Sequence, residues 1–307
     1  MQAVLHYLTQ PKLLILLALV LSATLIHFRG RVRLKFARQL TDHSTFVAPY
    51  NAFVYLTSKT STRPILDVAD FPELKPLTDN WRTIRDEGMA LLDQGKVGVA
   101  TGHNDIGFHT FFRLGWKRFY LKWYEEPPAS AKALCPRTVE LLAQVPQVHG
   151  AMFAMLPAGG RLGAHRDPFA GSLRYHLGLR TPNSDACWID VDGRRYSWRD
   201  GEAVIFDETY VHTAANQTDI DRLILFCDVE RPMWRPAAAV NRFVIRHVMS
   251  ATSTQNVEGE PIGAINRAFG TLFRIKDAGQ RLKARNRRLY YTLKYGLILA
   301  VLALALL

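Results

Sequence analysis

A chain of 307 residues that is 48% hydrophobic and 21% charged can bury a full core and is too apolar to be disordered. Its net charge of +12 suggests nucleic acid, but the excess sits in two short stretches: five basic residues from Arg29 to Arg38, and nine from Arg267 to Lys294 against Asp277 alone. Residues 39–266 are close to neutral, which argues against a basic face spread over the fold and so against a nucleic-acid binder.

Each basic cluster abuts an apolar segment. Leu13 to Phe28 is slightly short for a spanning helix but is followed by Arg29, Arg31, Arg33 and Lys35, a strong stop. A signal peptide is the alternative, and no convincing cleavage site follows the segment. Leu289 to Leu307 is a second apolar run, with Lys294 able to snorkel and Tyr290, Tyr291 and Tyr295 suited to a headgroup layer. It either spans the membrane or lies on it. Both basic clusters face the middle of the chain, so positive-inside bias places that middle in the cytoplasm. The expected organisation is an N-terminal transmembrane helix over 11–28, a basic juxtamembrane connector over 29–70, a catalytic domain over 71–236, a second connector over 237–288 and the C-terminal helix over 289–307. The three cysteines, Cys135, Cys187 and Cys227, lack metal-site spacing and read as inert core thiols of a reduced domain.

Within the middle, Phe71 to Gln94 and Leu134 to Val145 read as amphipathic helices. Gly102 to Phe112, flanked by His103 and His109, reads as a loop that is also a candidate substrate loop. Lys117, Arg118 and Lys122 alternate with Trp116, Phe119, Tyr120 and Trp123, an expected contact for phosphate and acyl groups or a solvated amphipathic strand. From Gly150 the pattern becomes short strands. Cys187–Val191 and Arg194–Trp198 flank Asp192-Gly193, a hairpin signal, and Leu223–Val229 is a continuous apolar strand. These features predict a mainly β (α+β) fold, a sandwich or jelly-roll barrel with flanking helices and terminal membrane-anchoring helices.

His165 and Asp167 stand two apart, so on an extended strand both side chains point to one face. His212 follows 47 positions later. Two histidines and a carboxylate form the facial triad of non-haem Fe(II) oxygenases, leaving positions for a 2-oxo acid and O2. Arg222, at the head of the last apolar strand, suits the distal carboxylate of 2-oxoglutarate. On spacing alone, a turn-capping His165, an N-capping Asp167 and a core His212 stay open.

The stretches HRDPFAGSLRYHLGLRTPN and WIDVDGRRYSWRDGEAVIFDETYVHTAANQTDIDRLILFCDVERP resemble the aspartyl/asparaginyl β-hydroxylase family, most closely its bacterial membrane branch of lipid A 2-hydroxylases. The resemblance begins at FPELKPLTDNWRTIRDE, covers about half the chain and implies a double-stranded β-helix (cupin-like) fold. It implies iron ligation by His165 and His212 and 2-oxoglutarate binding by Arg222. It also implies a cosubstrate-lining strand at Arg174-Tyr175-His176, with His176 bonding the cosubstrate. Animal members carry glycine at the position of Asp167, so the complete triad is a departure. Arg174 is expected either to bind an anionic group or to pair with Asp190 or Glu202. Trp188, Tyr196 and Trp198 are expected in the sheet core, and Asp207 and Glu208 either orient His212 or form a solvated turn. The implied activity is Fe(II)- and 2-oxoglutarate-dependent hydroxylation at C2 of a secondary acyl chain of lipid A. It would occur at the cytoplasmic face of the bacterial inner membrane, on an anionic phospholipid surface, with no nucleic acid and no obligate protein partner. A membrane-tethered peptide hydroxylase and a non-catalytic scaffold are the alternatives.

Overall fold

The computed structural model describes residues 11–39, 42–98, 105, 108–112 and 114–306; His103 lies outside them. Helix α1 (Pro11–Phe28) packs its C-terminal end on α2 (Ala48–Thr57), burying Ser22 and Ile26. With mean hydropathy 2.0 and 11% of its residues buried, α1 is long and apolar enough to cross a membrane. After β1 (Ile65–Leu66) the expected Phe71–Gln94 helix is divided into a 3-10 turn at Pro72–Leu74, a short helix at Lys75–Asp79 and α3 (Trp81–Asp93). Strand β2 (Lys117–Trp123) leads to α4 (Ala129–Leu134) and α5 (Pro136–Ala143). The expected single helix over Leu134–Val145 breaks at Cys135, because Pro136 disfavours the helical conformation of the residue before it.

The remaining strands are β3 (Val148–Leu156), β4 (Arg161–His165), β5 (Ser172–Arg180), β6 (Cys187–Val191), β7 (Arg194–Ser197), β8 (Ala203–Phe206), β9 (His212–Asn216) and β10 (Arg222–Glu230). They form two antiparallel sheets, β1-β8-β5-β10-β3-β2 and β4-β9-β6-β7, facing one another as a double-stranded β-helix. Asp192 and Gly193, both at positive φ (55° and 81°), make the β6–β7 hairpin turn that their identities predict.

The larger sheet is covered on both faces, which is why Leu223–Val229 is apolar at every position but Asp228. Along β10, Leu223, Leu225, Cys227 and Val229 face outward to a core shared with Leu77, Ile84, Leu91 and Leu142 of the helical layer. Ile224 and Phe226 alternate inward with Met152, Trp198 and Phe206. The three cysteines are free and buried.

Both stretches read as connectors pack on this body. Arg166 Nη1 donates to the Ile26 carbonyl at 3.0 Å, Val32 N–H donates to Asp192 at 2.8 Å, and His43 Nε2 meets the Arg166 carbonyl at 2.8 Å. Toward the C-terminus, α6 (Arg235–Val244) lies against α2, and Asn256 bonds both the N–H (2.7 Å) and the carbonyl (2.8 Å) of Tyr120 on edge strand β2. Helices α7 (Ala264–Arg285) and α8 (Arg287–Leu306) pack mainly on each other.

Candidate metal centre and cosubstrate pocket

Strand β4 ends at His165 and β9 begins at His212, and their pairing sets the two residues opposite each other with ring centroids 4.2 Å apart. Asp167 lies beyond the end of β4, so strand periodicity does not deliver it. Its N–H donates to the Glu208 carbonyl at 2.9 Å, which ties the loop after β4 to the turn before β9. One ligand atom from each of His165, Asp167 and His212 falls within 4.8 Å of the others, close enough to share one ion.

Both imidazoles are presented for ligation. His165 Nδ1 is 2.7 Å from the Gly163 carbonyl and His212 Nδ1 is 3.0 Å from that of Tyr210. A carbonyl only accepts, so each Nδ1 carries hydrogen and Nε2 is the ring atom left to ligate. Burial, with His165 nearby, pushes His212 down to about 3, only partly offset by Asp167. Burial pushes the Asp167 carboxyl up, but Arg174, His212 and His165 together hold it below the usual range.

Arg174 is taken up by carboxylates, though not the expected ones. Its Nη2 lies 2.8 Å from Asp167 Oδ2 and contacts Glu208, while its Nε lies 3.0 Å from Asp228 Oδ1. Asp228 stands directly opposite Arg174 in the β5–β10 register. Asp190 instead accepts from the Gly193 N–H. Asp228, raised by burial despite Arg174, also accepts from Tyr124 at 2.8 Å. The charged pair before His212 is neither solvated nor bonded to that ring. Glu208 accepts from Ser172 at 2.9 Å, and Asp207 is wholly buried between Arg29 (2.5 Å) and Arg231 (2.7 Å). Arg29 therefore differs from the other basic residues after α1: it is enclosed by the Tyr55 and Tyr210 rings.

Arg222 and His176 are the converse case. Both are buried, and both line one cleft with the three metal-ligand candidates, about 500 Å³ of empty volume including its open mouth. Neither ring nitrogen of His176 has a hydrogen-bond partner among the described residues, nor has Arg222 Nε, and no carboxylate pairs with Arg222 there. Burial, then Arg222 and Arg174, keep His176 neutral, and burial lowers Arg222 to about 10. The Arg222 guanidinium lies 4.2 Å over Trp198, so Trp198 floors the pocket as well as filling core.

Phe108, Phe111, Trp116 and Leu162 line the mouth, with Phe111 4.8 Å from His165. Phe108 and Phe111 belong to the stretch read as a candidate substrate loop and Trp116 to the expected acyl contacts. Sequence reasoning missed Leu162, which carries no signal beyond its apolar type. Asp228 was more legible, as a lone charge at an inward position of an apolar strand. Arg118, expected to meet phosphate, is instead buried against Asp105 at 3.0 Å, and Trp116, Phe119, Tyr120 and Trp123 are core.

A profile of the aspartyl/asparaginyl β-hydroxylase family matches residues 78–232. An ornithine lipid ester-linked acyl 2-hydroxylase of Rhizobium tropici is 34% identical over 60% of this chain and 66% of its own. The human aspartyl/asparaginyl β-hydroxylase is 29% identical over 53% of this chain and 22% of its own. The chain thus spans just under two thirds of the first relative and a much smaller part of the second. Among solved structures, a Pseudomonas putida prolyl-4-hydroxylase is similar at TM-score 0.35 and 16% identity, over 50% of this chain and 87% of its own. The profile covers the segments that carry His165, Asp167, His212 and Arg222, and this chain belongs to the aspartyl/asparaginyl β-hydroxylase family.

Proposed function

We propose that the chain is an Fe(II)- and 2-oxoglutarate-dependent hydroxylase acting at C2 of an ester-linked fatty acyl chain of a membrane lipid. One observation carries the cofactor assignment: among the described residues, a buried Arg222 without a carboxylate and a buried His176 without a hydrogen-bond partner share a cleft with a His-Asp-His set. A buried guanidinium left unpaired is costly, and a bound dicarboxylate removes that cost. His165, Asp167 and His212 would hold ferrous iron, which supplies reductive activation of O2 at the expense of 2-oxoglutarate. The products are succinate, carbon dioxide and the hydroxylated substrate.

The chain's own residues position and insulate. The Gly163 and Tyr210 carbonyls aim the two imidazoles, Arg174 aims the Asp167 carboxylate, and Arg222 with His176 orients the cosubstrate. The aromatic mouth excludes water from the reacting C–H bond.

Two features favour an acyl chain over an Asp or Asn side chain. Arg174, the candidate for an anionic substrate group, is occupied by three carboxylates, and the mouth beside His165 is apolar. The apolar helix α1, with Arg31, Arg33 and Lys35 after it, supports a bilayer location, with the domain on the cytoplasmic side of the inner membrane. A secondary acyl chain of lipid A is the substrate implied by the sequence resemblance. An ornithine lipid is the substrate named for the Rhizobium relative. The deciding experiment is mass spectrometry of total lipids and lipid A from cells with and without the gene, beside a succinate assay. One added oxygen on an acyl fragment supports the proposal, and the lipid class carrying it names the substrate. Unchanged lipids beside an oxidised peptide would replace it with peptide hydroxylation, and no succinate under any condition would favour a scaffold.

A further inference from the structure

Helix α6 turns Ala237, Ala238 and Asn241 to the body of the protein, where Asn241 accepts from Tyr50 at 2.5 Å and donates to the Gly171 carbonyl at 2.9 Å. An exposed helix face is ordinarily polar. Here it carries Val240 and Phe243 (63% exposed), preceded by Trp234 (61% exposed). Arg235 and Arg246 lie on or beside that face, Arg242 beside it is paired with Glu230 at 3.1 Å, and no acidic residue occurs from Trp234 to Val248. The neighbouring helix continues the pattern: Leu56 of α2 is 82% exposed, and Lys59 stands 4.9 Å over the Trp234 ring. Helix α2 packs against both α1 and α6, and the Trp234 N–H donates to the Thr57 carbonyl at 3.1 Å.

We propose that α6, with the exposed edge of α2, is a second membrane contact that lies in the headgroup layer of an anionic bilayer. It rests on the reading of α1 as an anchor: a bilayer that holds α1 passes beside α2 and therefore beside α6. Charge and side-chain type agree. A face of Trp, Phe and Val flanked by arginines matches a helix lying in the interface plane, its apolar side about 5–10 Å deep, and arginines there attract acidic lipids. The body would then be held at two points, the end of α1 and the length of α6, fixing its tilt on the surface.

The native cysteines are buried, so a cysteine introduced at an exposed position takes a polarity-sensitive fluorophore selectively. The full chain would be labelled at Phe243→Cys in α6, at Leu16→Cys in α1 and at Asp185→Cys in an exposed turn as control. Each is reconstituted in phosphatidylglycerol-containing vesicles with nitroxide lipids. The expected result is quenching at position 243, stronger with the nitroxide near the headgroup than near the chain end. Position 16 should show the opposite order, and position 185 should not be quenched. Quenching at 16 with none at 243 would overturn the docking surface and leave the anchor standing. No quenching at either would overturn both. Emission at 243 that follows protein concentration in detergent but ignores nitroxide lipid would assign the face to a second copy, against the proposal.

Discussion

Arg174 donates from Nη2 to Asp167 Oδ2 at 2.8 Å, linking the loop after β4 to strand β5 in the middle of the larger sheet. The guanidinium also meets Glu208 and Asp228, so one cation holds three carboxylates in a buried setting. Carboxylates that ligate metals are commonly fixed by such outer partners, and the partner of the candidate ligand Asp167 sits seven residues along the same chain.

Replacing that cation leaves uncompensated buried charge. Arg174→Met should destabilise the chain by about 3–5 kcal/mol, the usual result of removing one member of a buried ion pair. Denaturant unfolding in detergent checks this. A second substitution, Asp228→Asn, should recover part of the loss; no recovery would place the cost elsewhere.

His212→Ala should weaken metal binding by more than the roughly 10–100-fold expected from losing an outer-shell partner. Anaerobic Fe(II) or Co(II) titration reads this without turnover. An unchanged affinity would remove His212 from the ligand set.

Arg222→Met should act in opposite directions on binding and stability. Loss of a charge-assisted pair of about 1.5–3 kcal/mol raises the 2-oxoglutarate requirement about tenfold or more. Without cosubstrate, the same change deletes a buried charge that no carboxylate among the described residues pairs, and should raise the unfolding midpoint. A lower midpoint with an unchanged requirement would make Arg222 a structural residue only.

The metal-free chain should lose stability on acidification. Burial, reinforced by His165, lowers His212 from 6.5 to about 3 on folding, and burial, Arg222 and Arg174 lower His176 in the same direction. Between those values the unfolded chain binds more protons than the folded one, so the unfolding free energy rises with pH across that window and falls as pH drops through it. Urea midpoints measured at about pH 7.5 and about pH 5.5 should show the loss; a midpoint that rises on acidification would contradict it.

Arg29→Gln should destabilise the chain and Arg31→Gln should not, although the two residues look alike in sequence. Arg29 reaches Asp207 inside the protein, whereas Arg31 is exposed. The comparison is read by thermal unfolding, and equal effects would mean the Asp207 contact contributes nothing.

By itself the sequence determined the elements whose signals are local. The Asp192-Gly193 turn and the apolar run of β10 follow from residue type and short spacing, whereas the sequence reads as one continuous helix across the break before Pro136. His165, Asp167, His212 and Arg222 are candidates by residue type and family resemblance, and strand register with the loop after β4 brings the first three together. Tertiary structure alone decided which charges pair and which stay open. Arg174 and Asp228 lie far apart in the chain and become neighbours through strand register, while Arg29 finds Asp207 only once the segment after α1 is laid over the barrel. The aromatic mouth and the exposed side of α6 depend likewise on what packs against each surface. The physical reason is one of range: turn and strand preferences act over a few residues, whereas burial and ion pairing depend on which distant segments the fold brings together.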